Sequence, residues 1–148
     1  MAASKPLILI ITLVIAASAL TAITLATLNL NKNVASSGTI TTSPNLGVYS
    51  DSGCTINMTS INWGSVGAGS SVTQTVYVKN TGTGSLTLGL STSNWNPSIA
   101  STYLSITWNQ QGTQLAAGQQ ATAVVTLTVS SSVTGVTTFS NTISITGS

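Results

Sequence analysis

The chain has 148 residues, of which 3% are charged and 42% are hydrophobic, and it has no histidine. General acid–base catalysis needs paired ionisable groups, a Ser or Cys nucleophile needs a base, and a zinc site needs three or four His, Cys or carboxylate ligands. With only Asp51, Lys5, Lys32 and Lys79 charged, the composition predicts no enzyme, no metal or other cofactor, and no nucleic acid partner.

The N-terminal segment is uncharged from residue 7 to residue 30 and begins with a dense apolar run after Lys5 and Pro6. This pattern predicts membrane targeting, by either a signal peptide or a retained membrane helix. Ala17 and Ala19 form a small-residue A-x-A pattern that favours cleavage near Ala19. Residues 1–19, with an apolar character that extends to residue 30, are therefore predicted to be an export segment, and to be the only part of the chain that contacts a membrane, before processing.

Residues 20–37 are predicted to be an N-terminal extension. Within it, Ala26, Leu28, Leu30 and Val34 share one face, while Thr and Asn residues share the other. That is the period of a strand and not of a helix. Once released by cleavage, such a strand need not pair within its own subunit, so it is a candidate donor strand. An ordinary first strand of the domain, or the end of a membrane helix, remains an alternative.

Residues 38–148 contain short alternating apolar runs separated by Gly, Asn, Pro and Ser. The runs cover residues 38–42, 54–58, 72–78, 86–90, 104–108, 123–129 and 143–145. About seven short strands with regular turns predict an all-β fold, an Ig-like antiparallel β-sandwich. The predicted core consists of Val76, Val78, Leu86, Leu88, Leu104, Ile106, Trp108, Val125, Leu127 and Val129.

Single residues in this domain suggest further sites. The sequon N-M-T begins at Asn57, which makes Asn57 a candidate glycosylation site and glycans candidate partners. Trp63 and Trp108 follow strand alternation and are predicted core residues, whereas Trp95 lies in a predicted turn and is the candidate exposed aromatic residue. Cys54 is the only cysteine, so it has no partner for an intramolecular disulfide, and a buried thiol is predicted.

The lack of charge also bears on assembly. Soluble monomers protect exposed sheet edges with Lys, Pro, bulges and a repulsive net charge. A surface of Ser, Thr, Asn and Gln offers hydrogen bonds without repulsion, which suits close packing of identical subunits. An N-terminal strand added to a neighbour's sheet would make a head-to-tail contact, and such a contact gives a filament when it does not close. With one carboxylate, stability is expected to depend little on pH.

Several short motifs together resemble those of the TasA-like surface fibre proteins, which include archaeal bundling pili and threads. Residues 34–40 read V-A-S-S-G-T-I, residues 63–66 read W-G-S-V, residues 76–82 read V-Y-V-K-N-T-G, and residues 86–88 read L-T-L. The resemblance implies a secreted β-sandwich that polymerises by donor-strand complementation on the cell surface, for adhesion or biofilm cohesion. It assigns the donor role to the stretch around Leu28, Leu30 and Val34.

Two other classes remain open. An archaeal type IV pilin also joins an apolar N-terminal segment to a β domain, but it keeps that segment as a helix in the filament core. The residues Lys5 and Pro6 depart from the Lys or Arg followed by Gly, Ala or Ser that such leaders show. A membrane-anchored, non-polymeric surface adhesin is the third class. The position of the mature N-terminus distinguishes the three classes.

Overall fold

The computed structural model describes residues 33–42 and 45–148. These residues form mostly strands, with one short helix, α1, at Ala100–Tyr103. The strands are β1 Asn33–Thr42, β2 Leu46–Tyr49, β3 Ser60–Gly67, β4 Ser71–Asn80, β5 Leu86–Asn96, β6 Leu104–Trp108, β7 Gln114–Leu115, β8 Gln120–Val129 and β9 Thr138–Gly147. The predicted all-β fold is therefore confirmed for the described part of the chain.

The strands form two sheets. One has five strands in the order β3-β1-β9-β5-β7, and the other has four in the order β2-β4-β8-β6. Nearly every pairing is antiparallel, with residues such as Leu104 and Val129 directly opposite each other. The exception among the described strands is the parallel pair formed by β1 and β9.

A single apolar core lies between the two sheets. All the predicted core residues are buried except Leu86, which is half-buried, and Trp63 is also buried. The burial follows strand alternation: in β6 the pattern runs buried, exposed, buried, exposed, buried from Leu104 to Trp108. Because each buried Val, Leu or Ile contributes about 1.5–3 kcal/mol of transfer free energy, this alternation is the main local cause of the fold.

Several predicted elements differ from the structure. Residues 54–58, predicted as a strand, form a loop, because the Asp51 carboxylate accepts the backbone N–H groups of Thr55 and Ile56 and so turns the chain there. The turn predicted over residues 94–97 begins later, since β5 continues through Asn96. Residues 33–42 and 45–148 form nine strands, where about seven were predicted, because β2, β3 and β7 were not among the predicted runs.

The predicted domain boundary at residue 38 falls within β1. The compact unit that contains the sheets begins at Lys32. The predicted extension and the predicted domain therefore share one strand. In the sequence, even-numbered residues share one face on both sides of Gly38, with Lys32 as the one charged residue among them.

The composition predicts little dependence of stability on pH, but the hydrogen bonds of Asp51 in the structure add one acid-sensitive contribution below about pH 4. The Asp51 carboxylate accepts the Ile56 N–H at 2.7 Å, and this hydrogen bond, with those from Thr55, holds the pKa of Asp51 below its ordinary value. A lowered pKa contributes stability above the unfolded-state value and loses it as the pH falls through the folded-state value. We expect the thermal unfolding midpoint to be flat from pH 8 to pH 5 and to fall below about pH 4.

The Asp51→Asn variant serves as the control for this acid effect. It should unfold at a somewhat lower temperature at neutral pH and should lack the additional fall below about pH 4. An equal acid-dependent fall in both proteins, followed by circular dichroism, would show that Asp51 is not its source.

Candidate functional site

The strand β1 lies inside the five-stranded sheet, between β3 and β9. It runs antiparallel to β3, with Val34 opposite Val66, and parallel to β9, with Thr39 opposite Thr142. It is therefore hydrogen-bonded to a neighbouring strand on each side. We call the space that β1 occupies between β3 and β9 the β1 slot.

The two faces of β1 differ sharply. Val34, Ser36, Gly38 and Ile40 are buried and face the core, whereas the intervening residues face solvent. This is the alternation that predicted a strand around Val34, continued six residues further along the chain. The buried face has a large apolar residue near each end and two small residues between them.

At Gly38 the strand approaches β9 closely. A Cβ atom at this position would lie 2.9 Å from Ile143 Cδ1 and 3.0 Å from Asn141 Oδ1. Glycine within a strand commonly marks such a close approach. A larger side chain at Gly38 would therefore push β1 away from β9 unless the Ile143 side chain moved.

Three buried polar side chains near this approach have no hydrogen-bond partner among the described residues. They are Ser36 through Oγ, Trp63 through Nε1, and Asn141 through both amide atoms. Buried polar groups usually have partners, and an unpaired one costs about 1–3 kcal/mol. These unpaired polar groups on the inner face of the β1 slot therefore lower the stability of an otherwise apolar core.

The connection from β1 to the rest of the domain is short. Three residues, 43–45, join Thr42 in the five-stranded sheet to Leu46 in the four-stranded sheet. An extended chain spans at most about 3.6 Å per residue, so the Cα atoms of Thr42 and Leu46, four residues apart, lie within about 14 Å of each other. Any domain that receives β1 must therefore lie against the domain that supplies it.

The sheet edges in the described part of the chain carry no charged residue. The edge strands are β3 and β7 in one sheet and β2 and β6 in the other. Lys79 lies on β4, between two other strands, and Asp51 lies in the β2–β3 loop. The protecting features that the described edges do show are the shortness of β2, β6 and β7 and the register shift between Ser36 and Ser37 where β1 pairs with β3. Such edges favour association with further strands.

The remaining predicted site residues are spread over the domain. Asn57 is exposed and forms an isolated bridge with Tyr49, so its amide is accessible for the predicted glycosylation. Trp95, the candidate exposed aromatic residue, is half-buried, and its ring centroid lies 5.5 Å from that of Phe139. The Cys54 thiol is also partly exposed and donates to Gln120 Oε1 at 3.2 Å.

The predicted cleavage residues Ala17 and Ala19 lie outside the described residues, as do the predicted donor residues Ala26, Leu28 and Leu30. Val34 is the one predicted donor residue that the structure describes. Within residues 33–42 and 45–148, no group of three His, Cys, Asp or Glu side chains is placed to hold a metal ion. No helix among the same residues is long and apolar enough to cross a membrane.

The sequence-based predictions missed Ser36, Gly38 and Asn141 as parts of this site. The sequence contains a signal for one of them, because Gly38 falls between Val34 and Ile40 on the same face of the strand period, and a glycine within a strand often marks a close approach. The position of Asn141 depends on pairing between residues about a hundred positions apart, which a local pattern does not specify.

A comparison with known protein families found no match to this chain. A comparison with curated proteins also found no similar sequence.

Proposed function

We propose that this protein is a structural subunit of an extracellular filament, a pilus or thread that serves adhesion or biofilm cohesion. It is an exported, non-catalytic protein whose two sheets form an Ig-like sandwich, and its partners are identical subunits. Subunits join head-to-tail when the N-terminal strand of one completes a sheet of the next. The resemblance of its short motifs to those of TasA-like surface fibre proteins supports the same function.

The position of Val34 is the observation that carries this proposal. Val34 belongs both to the predicted donor face and to the buried face of β1, where it is fully buried opposite Val66. Ala26, Leu28, Leu30 and Val34 have the same strand parity as the inward residues of β1. The donor segment thus continues directly into a strand that has a defined place in a sheet, and main-chain pairing there would supply affinity for a neighbour.

The uncharged edges and the composition support permanent assembly. A neutral surface of Ser, Thr and Asn lacks the repulsion that keeps monomers apart. The near absence of ionisable groups leaves little for acid–base chemistry, which supports a structural and not a catalytic function.

The predicted donor face can be tested with two matched double variants. Leu28→Asp with Leu30→Asp should abolish filaments, because each replaces an apolar side chain of the predicted subunit contact by a charged one, which is costly to bury. Asn29→Asp with Asn31→Asp adds the same charge to the opposite face and should still give filaments. Negative-stain electron microscopy of the secreted proteins shows whether filaments form. Thermal unfolding checks that the β domain of each variant is folded.

Wild-type protein in the same experiment tests the function itself. We expect filaments whose subunits begin, by mass spectrometry, at residue 20 or later and before Ala26, so that the predicted donor residues are retained. Filaments with a mature N-terminus near residue 6 would instead indicate a pilin with a retained helix, and an intact N-terminus without filaments would indicate an anchored adhesin. Secreted protein that stays monomeric at high concentration would overturn the proposal.

A further inference from the structure

We propose that in the assembled form the β1 slot of each subunit holds β1 of a neighbouring copy, inserted in the opposite direction to the resident β1. The resident arrangement, parallel to β9, is then a self-completed monomer that does not polymerise. This inference rests on the proposed filament function and adds to it the acceptor site and the direction of the donor strand.

The direction follows from where β1 begins and ends. We call the end of the domain at Asn33, Gly67 and Thr138 the first pole. The end at Thr42 and Gly147 is the second pole, and Leu46, the start of the donor's own domain, follows Thr42 after three residues. A donated β1 must therefore finish close to the second pole of the domain that supplies it.

A donor inserted in the resident direction would finish at the acceptor's second pole as well. Two second poles would then meet, and each domain could fill the slot of the other, which gives a closed dimer. A donor inserted in the reverse direction finishes at the acceptor's first pole. The second pole of one subunit then meets the first pole of the next, and this contact repeats without closing.

The inward face of β1 permits both directions. A half-turn about the sheet normal through Ser37 exchanges the place of Val34 with that of Ile40, and the place of Ser36 with that of Gly38. Val and Ile are both β-branched and differ by one methylene, so the exchange keeps the shape of each side chain and changes its volume by a single group. The buried sequence is thus large, small, small, large whichever way the strand is read.

Reversal also changes the environment of the unpaired polar groups. It moves Ser36 to the place of Gly38, where a Cβ atom lies 3.0 Å from Asn141 Oδ1. The hydroxyl of a serine there reaches the Asn141 amide, so two side chains that lack partners in the resident direction can pair. The terminal methyl of Ile143, 2.9 Å from the same point, must move to admit the serine. Pairing buried polar groups favours the reversed strand.

In the reversed direction, the residues that precede Val34 extend past the acceptor's second pole, where the acceptor meets the next subunit. The predicted donor residues Leu28 and Leu30 then lie at that contact. This placement is consistent with the expected loss of filaments when they are replaced by aspartate.

Paired cysteines distinguish the two directions. In the resident strand, Thr39 lies opposite Thr142 and Ala35 lies opposite Thr138; in the reversed strand, Ala35 lies opposite Thr142. Two variants are made with Cys54→Ser: Ala35→Cys with Thr142→Cys reports the reversed strand, and Thr39→Cys with Thr142→Cys reports the resident strand. Assembled filaments of each are oxidised with diamide and run on non-reducing denaturing gels.

We expect a ladder of covalent multimers from the Ala35/Thr142 pair, with at least ten times more cross-linked subunits than from the Thr39/Thr142 pair. The Thr39/Thr142 pair should instead form an intramolecular disulfide in the monomer. Oxidised before assembly, that monomer should give no filaments, and dithiothreitol should restore them.

Other results overturn the inference. Multimers or dimers from the Thr39/Thr142 pair alone would mean that the strand keeps its resident direction, and no cross-link between subunits in visible filaments would mean that no neighbour fills the slot. In both cases filaments would still be visible, so the proposed filament function would stand and only the inference about the strand would fail. Absence of filaments from wild-type protein would overturn the function as well.

A second set of cysteine pairs serves if one of the first pairs prevents assembly. Thr39→Cys with Thr138→Cys then reports the reversed strand, and Ala35→Cys with Thr138→Cys reports the resident strand.

Discussion

Replacing Val34 by aspartate should prevent the domain from folding. Val34 is fully buried at the start of β1, opposite Val66, and no lysine is among the buried residues of the part of the chain that the structure describes. An unpaired buried charge costs several kcal/mol, on the order of the ~5–15 kcal/mol that stabilises a typical domain. Circular dichroism of the secreted monomer should show loss of the cooperative thermal transition, or little soluble protein should be recovered.

The adjacent residue provides the matched control. Ala35 is exposed, so Ala35→Asp adds the same charge one position along the strand on the solvent side. Its unfolding free energy should stay within about 1 kcal/mol of wild type, since surface substitutions have small effects. Equal unfolding midpoints for the two variants would show that Val34 does not face the core.

Replacing Asn80 by alanine should lower the free energy of unfolding by about 3 kcal/mol. The fully buried Asn80 side chain donates to the Gly84 carbonyl at 2.7 Å and to the Leu115 carbonyl at 3.0 Å, and accepts the Gly82 N–H at 2.9 Å. It thereby joins the β4–β5 turn to β7. Alanine removes all three hydrogen bonds and leaves the buried Leu115 carbonyl without its side-chain donor, which costs more than losing an exposed bond would.

Asn62 is the control for this variant. It is exposed and makes one local hydrogen bond, from the Gly64 N–H to Asn62 Oδ1 at 2.9 Å. Asn62→Ala should cost about 1 kcal/mol or less. Urea unfolding of both variants gives the comparison, and a similar loss in each would show that the Asn80 hydrogen bonds contribute no more to stability than one exposed bond.

Much of the fold could be predicted because the alternation of apolar residues is local. The buried residues of β6 and β8 could be read directly from the sequence, and β6 ends at the predicted residues, Leu104 and Trp108. The apolar run at residues 54–58 misled because a single carboxylate, Asp51, binds backbone N–H groups there and forms a loop. Gly47 interrupts β2, which hid that strand from a search for apolar runs.

The candidate site was less predictable than the fold. The sequence indicated a strand with Val34 on its apolar face, but not which strands lie beside it. The pairing of Ala35 with Thr138 joins positions about a hundred residues apart, and its parallel direction depends on the path of the whole chain. The unpaired Asn141 amide beside Gly38 is a consequence of that pairing, so no local pattern contains it.

The double pairing of β1 also determines how a filament would respond to tension. Ladder hydrogen bonds run across the strands, so a pull along the filament would load those on both sides of a donated strand in shear. Many bonds would then have to break together and not one after another. The three residues that join β1 to β2 leave little slack to absorb extension. Filaments built in this way should be stiff, and they should resist stretching until a whole strand slides out of its slot.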